Sequence, residues 1–268
     1  MTDPAAGRWN DLQTRVLSAV VMLAVGAVDI WLGGVPFMAL VVALTGLMIW
    51  ELAKITAPSP PQTALVIALL AAGCLAGTLL FAWHSRTALL VLPLIALALT
   101  PRRDRGIAVC YGVAILVAGF GLISLRNTAG TPAILWLIGV VVISDVMGYF
   151  AGRMLGGPKF WPAISPKKTW SGTVAGWAGA AVVGFGFVLF AGAGWGLIIL
   201  SALVSFAGQM GDIAESWIKR RAGVKDSSRL IPGHGGVLDR FDALIGAVVL
   251  VMLLGLIWPL PLPLPLAH

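Results

Sequence analysis

Charge is what this sequence has least of. Asp, Glu, Lys and Arg make up 11% of 268 residues against 59% hydrophobic, at a mean hydropathy of +0.97. A water-soluble domain carries about 25% charged residues, so the deficit excludes one and points to an integral membrane protein. Cysteine is scarce too: Cys74 and Cys110 both lie in apolar runs, which excludes a disulfide framework. No Cys/His spacing for zinc, no Gly-x-x-x-x-Gly-Lys-Ser/Thr loop and no Gly-x-Ser-x-Gly sequence occurs, so neither a P-loop nor a nucleophile elbow is encoded. The strict alternation of a membrane β-barrel is also missing.

What is present are continuous apolar runs of about 17–22 residues, the length a helix needs to cross ~30 Å of hydrocarbon. The predicted fold is all-α and polytopic, with nine transmembrane helices. They cover roughly 16–32, 37–52, 64–83, 87–99, 107–125, 133–150, 173–190, 196–211 and 243–258. One membrane-embedded domain spans 1–268, with 1–130 mainly scaffold, 131–258 the catalytic half and 259–268 a Pro-rich, extended tail. The polar N-terminus precedes no cleavage site and reads as leading into a retained first helix. With that terminus in the cytoplasm, sixteen of eighteen Lys and Arg fall inside, and only Arg86 and Arg126 outside. An odd number of spans then leaves the C-terminus on the opposite side. The net charge of +7 thus orients helices and calls for no nucleic-acid partner. Trp31, Trp50, Trp83, Trp195 and Trp258 fall near span ends, as an aromatic belt requires. Gly172, Gly176, Ala180 and Gly184 form a small-residue stripe for close packing, within the chain or between protomers of a homodimer.

The scarce charge is concentrated. Between Gly211 and Asp242 lie five of the eleven acidic residues. Asp212, Glu215, Ser216 and Lys219 share one face of a helix end. An ion pair that merely ends the span would explain this face alone. Asp239 and Asp242, three apart around Arg240, add a second carboxylate pair. Buried carboxylates near a bilayer are costly unless paired or metal-bound, and two sets at one edge suit a hard cation such as Mg²⁺. Between them Lys219, Arg220, Arg221, Lys225 and Arg229 offer charge to an anion. Pro232-Gly233-His234-Gly235-Gly236 offers backbone amides at close approach. The combination describes a polyphosphate site. A polybasic loop resting on anionic bilayer lipids would explain the cations but neither the glycines nor the acids.

A second patch follows the sixth span. Asp145 lies inside it, and an intramembrane Asp is a functional candidate by default. After Gly148-Tyr149-Phe150-Ala151-Gly152-Arg153 comes Ser165-Pro166-Lys167-Lys168-Thr169, read as a phosphate seat at a helix start.

Taken together, Ser216-x-Ile218-Lys219-Arg220, Lys225-Asp226 and Pro232-Gly233-His234-Gly235-Gly236-x-Leu238-Asp239-Arg240-Phe241-Asp242 resemble the signature of the phosphatidate cytidylyltransferase (CDP-diacylglycerol synthase) family. The Ser165-to-Trp170 patch, Asp145/Tyr149/Gly152-Arg153 and Thr14-Arg15-Val16 are similar to it as well. Ser171 departs from it, standing where the family often has Glu. The resemblance implies transfer of the cytidylyl group from CTP to phosphatidate in phospholipid biosynthesis, with Mg²⁺ and room for a second cation. It also implies a multi-pass protein of the plasma (inner) membrane with its site facing the cytoplasm. On this reading Asp212 and Asp239 hold the metal, with Asp242 or Glu215 in support, and Lys219 joins the catalytic group. Arg153, Ser165, Lys167, Lys168, Thr169, Ser216, Arg220, Lys225, Asp226, His234, Gly235, Gly236 and Arg240 bind substrate. The competing expectations are a CTP-dependent membrane enzyme using another lipid acceptor, and a transporter with intramembrane carboxylates.

Overall fold

The computed structural model describes residues 4–57, 61–80 and 86–263. Among the described residues eight α-helices and one small hairpin follow in order: α1 (Pro4–Leu32), α2 (Gly34–Ile55), α3 (Pro61–Leu80), α4 (Val91–Leu99, after a 3-10 turn at Arg86–Leu90), α5 (Arg105–Met154), β1 (Lys159–Trp161), β2 (Ser165–Thr169), α6 (Trp170–Phe190), α7 (Leu197–Arg221) and α8 (Leu238–Gly255). Six of them (α1, α2, α3, α5, α6 and α7) are long and apolar enough to cross a membrane. The protein is therefore all-α and multi-pass. The six do not include α4, nine residues long, or α8, whose first turns carry Asp239, Arg240 and Asp242. The expected fifth and sixth spans lie together in α5, which breaks at Gly130 (φ 74°, ψ −168°) just before Pro132. Only glycine adopts that backbone readily. Trp83 and the tail beyond Pro263 lie outside the described residues.

The chain groups into two compact units. One comprises Met1–Ala108 and Val224–Arg240, the other Val109–Gly223 and Phe241–His268. In the first, α2 packs on α3 around Ile49, Leu52, Ile67 and Leu75, all nearly inaccessible. The helix ends here are capped by a side chain. Arg102 donates to the Leu97 carbonyl at 3.0 Å and to the Ala53 carbonyl at 2.7 Å. It thereby satisfies orphan acceptors at the C-termini of α4 and α2, where a cation also suits the helix dipole.

In the second unit, the core holds Ile115, Leu116, Trp136, Leu137, Leu200 and Val204. Trp136 Nε1 donates to Ser201 Oγ at 2.8 Å. The small-residue stripe of α6 faces inward here. A Cβ on Gly176 would lie 2.7 Å from Gln209 Nε2 and 2.9 Å from Ser144 Oγ, so α5, α6 and α7 close on one another through it. The stripe serves packing within the chain. Past α6, Pro261 of the non-helical tail rests against Gly194 and Gly196.

Residues 165–169, expected as a helix start, are instead the second strand of an antiparallel hairpin, with Lys159 opposite Thr169 and Trp161 opposite Ser165. Pro166 disfavours the helical region for the residue before it. Thr169 is the N-cap of α6, its hydroxyl accepting from the Gly172 amide at 3.3 Å.

Candidate functional site

Functional side chains occur in both units. In the first they gather on the loop from Val224 to Val237 and the start of α8, and a carboxylate from α2 organises that loop. Glu51 is fully buried and accepts four hydrogen bonds. Ser228 Oγ donates at 2.5 Å, Ser227 Oγ at 3.2 Å, and the Val237 and Leu238 amides at 2.9 and 2.6 Å. Those amides belong to the first turn of α8, whose unsatisfied N–H groups and dipole favour a negative charge. Asp239 works from the other side of the loop. It accepts from the Ser227 amide and hydroxyl, each at 2.9 Å, and from the Gly236 amide at 2.7 Å. Ser227 Oγ thus stands between two carboxylates with a single proton to donate. A Cβ on Gly236 would collide with Ser227 Oγ and the Glu51 carboxylate, so only glycine fits there.

Before Gly235 (φ 88°), His234 Nδ1 lies 2.7 Å from Ser18 Oγ on α1, which ties the glycine loop to that helix. The loop encloses a cavity of about 540 Å³ lined by Arg15, Lys225, Asp226, Arg229, His234 and Arg240, among others. Four cations facing one acid make it an anion site.

In the second unit, α7 and α8 cross at van der Waals contact. A Cβ on Gly211 would strike the Asp242 carbonyl and lie 3.0 Å from the Gly246 amide. This crossing brings Asp242 near Asp212, and Asp145 of α5 joins them: the three carboxylates lie within electrostatic range of one another. Lys168, from β2, makes an ion pair with Asp212 and reaches the Gln209 carbonyl at 3.4 Å. One turn on, Lys219 pairs with the fully buried Glu215 at 2.6 Å, and Ser216 Oγ donates to Asp212 at 3.4 Å. Asp212 and Glu215 are therefore served by different cations.

A second cavity, of about 480 Å³, opens beside this cluster. Its lining includes Asp145, Tyr149, Arg153, Lys167, Lys168 and Thr169. Under it lies a polar seam: Gln209 accepts from Trp177 Nε1 at 2.9 Å and donates to the Thr173 carbonyl at 3.3 Å. Ser165 is half-buried on the hairpin, and Arg220 is exposed near the end of α7.

Among the described residues no three acidic, His or Cys side chains form a ready-made metal cage. Mg²⁺ needs none, since it keeps several waters and takes one or two carboxylates plus substrate phosphates. The oxygen-only donors of Asp145, Asp212 and Asp242 fit such an ion. Their mutual repulsion calls for positive charge, which Lys168 supplies in part.

Spacing along the sequence marks most of these groups but not Glu51. Its signal was a lone acid in the apolar run of α2, the same signal that marked Asp145. Nor did it find Ser227, which carries no pattern of its own.

The model of the cytidylyltransferase family matches residues 13–258. The phosphatidate cytidylyltransferase of Brucella abortus is 38% identical over 94% of this chain and 96% of its own length. Proteins of the same name from Staphylococcus saprophyticus and Helicobacter pylori are 40% and 42% identical, over 53% and 52% of this chain and 56% and 53% of theirs.

Proposed function

The chain belongs to the cytidylyltransferase family, and we infer from its site that it transfers the cytidylyl group of CTP to phosphatidate, giving CDP-diacylglycerol and pyrophosphate. The observation that carries this reading is the cluster in the second unit, where Asp145, Asp212 and Asp242 meet Lys168 beside a cavity lined with cations. Carboxylates and cations in such proximity suit a metal–phosphate complex better than either ligand alone.

A phosphatidate phosphate oxygen attacks the α-phosphorus of CTP in line. The new P–O bond forms as the bond to the β-phosphate bridging oxygen breaks, and pyrophosphate leaves. The attacking oxygen is already anionic, so no strong general base is required. Asp212 and Asp242 would hold Mg²⁺, with Asp145 in support. When bound, Mg²⁺ neutralises charge on the phosphoryl oxygens. Lys168 is poised to leave Asp212 for a phosphate. Lys219, held by Glu215, adds a fixed positive charge near Asp242. In the first unit, Arg15, Lys225, Arg229 and Arg240 bind phosphate, and the amides of Gly235 and Gly236 belong to the same anion-receiving loop. Asp239, expected from sequence as a metal ligand, braces that loop through three donors.

The chain crosses the inner membrane nine times, with the basic loops and the site on the cytoplasmic side. The support is charge asymmetry and the length of α5. Fifty residues rise about 75 Å, enough for two crossings of ~30 Å, with Gly130 at the turn.

The test is to incubate the purified protein with radiolabelled CTP, Mg²⁺ and either phosphatidate or a phosphorylated isoprenoid. Labelled CDP-diacylglycerol with release of pyrophosphate is expected. Label entering only the isoprenoid would move the assignment to another acceptor, and no lipid product from either would end it.

A further inference from the structure

The last turns of α5 present two adjoining faces of different chemistry. On one, Ser144, Asp145, Gly148, Tyr149, Gly152 and Arg153 line the 480 Å³ cavity. On the other, Val142, Val146, Phe150 and Met154 recur every four residues, so they form one stripe, and they are 51%, 42%, 56% and 80% exposed. Exposed apolar residues on a membrane helix face lipid as a matter of course. The informative feature is that this stripe runs along the rim of a polar cavity. Tyr149 and Arg153 stand on the boundary, with Arg153 donating to the Tyr149 hydroxyl at 2.8 Å. Tyr149 has an apolar ring with a polar tip and Arg153 an apolar stem with a charged head, as a membrane–water boundary favours.

Resting on the function proposed above, we propose that this cavity is the acceptor-lipid subsite. The phosphomonoester head enters among Arg153, Lys167 and Lys168, and an acyl chain lies along the Val142–Val146–Phe150–Met154 stripe. Charge favours this occupant: those three cations face Asp145 alone among the acids of the lining, and one of them, Lys168, is shared with Asp212. Arg153 can offer a forked pair of donors to a phosphate. Depth favours it too. Arg153 is in the last turn of a membrane-spanning helix, the level at which lipid phosphates reside. The cavity of the first unit, lined by Arg15, Lys225, Arg229 and Arg240, remains for a water-borne phosphate.

The free triphosphate offers the same chemistry, so the experiment must separate the two sources. In detergent micelles, initial rates are taken against the mole fraction of phosphatidate at saturating CTP, and against CTP at saturating phosphatidate. Arg153→Ala, and Arg153→Lys should the first not purify, are expected to raise the apparent KM for phosphatidate about tenfold, the equivalent of one lost charge-assisted bond. The KM for CTP should stay within about twofold. Val146→Trp, which fills the stripe without touching the cations, is expected to impair dioleoyl-phosphatidate far more than water-soluble dihexanoyl-phosphatidate. Elevation of the CTP KM with phosphatidate unaffected would assign the cavity to the nucleotide and overturn the proposal, as would equal impairment, or none, with both chain lengths in Val146→Trp. Wild-type protein that makes no CDP-diacylglycerol would overturn the function itself and not this subsite.

Discussion

Asp212 is the residue on which the charges of the second unit converge. It pairs with Lys168, accepts from Ser216 and repels Asp145 and Asp242. Glu215, one turn away, has the same charge but is sealed against Lys219 with no exposed surface. The distinction yields a test. Asp212→Asn keeps the side-chain shape and removes the charge, so it is expected to lower kcat at least about 10- to 100-fold, the range brought by loss of a group that merely supports a metal ligand. A rightward shift in the Mg²⁺ dependence of any residual rate should accompany that loss. Glu215→Gln instead takes the paired carboxylate away from a buried ammonium. Its main effect should be lower stability, by about 3–5 kcal/mol, read as a fall in the melting temperature of the detergent-solubilised protein. Equal Mg²⁺ dependence in wild type and Asp212→Asn would remove Asp212 from the metal site. Spacing revealed that Asp212, Glu215, Ser216 and Lys219 share a face. Which acid takes which cation was not legible, because Lys168 approaches from a hairpin more than forty residues earlier in the chain.

Two structural elements decide whether the loop and the helix crossing hold their shape. The Pro232–Gly236 loop was legible from its glycines, but what fixes it was not: the Glu51 carboxylate reaches it across 186 residues of sequence. Glu51→Ala leaves the Val237 and Leu238 amides buried without an acceptor, and unlike the two serine hydroxyls they cannot turn elsewhere. At about 1–3 kcal/mol for each stranded group, the variant should lose at least about 2 kcal/mol. Glu51→Gln retains one carbonyl acceptor and should recover part of both stability and turnover. If Glu51→Ala melts with wild type, the loop is held by something else. At the α7–α8 crossing, Gly246→Ala sets two effects against each other. Alanine in a helix gains about 1 kcal/mol over glycine. Its Cβ, however, would strike the Ala207 carbonyl and lie 3.1 Å from Gly211 Cα, and the obstacle is backbone that cannot rotate away. Overpacking costs about 1–3 kcal/mol, so the clash should win and the melting temperature should drop. A rise would mean that the helices can part without penalty.

For the molecule as a whole, what hydropathy made legible was the helical class; what it blurred was where one crossing ends and the next begins. Residues 126–132, expected as a loop, appear as a break inside α5, because a single glycine at φ 74° kinks the backbone without interrupting the helical run on either side. A 50-residue helix would overshoot the bilayer more than twofold if it were straight. In the arrangement proposed above, the break at Gly130 lies at one membrane face and the start of α5 at the other. Arg103, just before α5, and Asn127, just before the break, are both exposed and should face opposite compartments. In a background carrying Cys74→Ser and Cys110→Ser, Asn127→Cys is expected to react with an impermeant maleimide in intact cells. Arg103→Cys should react only once the membrane is opened. Reaction of both from the same side would mean that the first half of α5 does not cross. The excess of basic residues assigned to the cytoplasmic face would then lose its alternation, and the nine-span arrangement would fail with it.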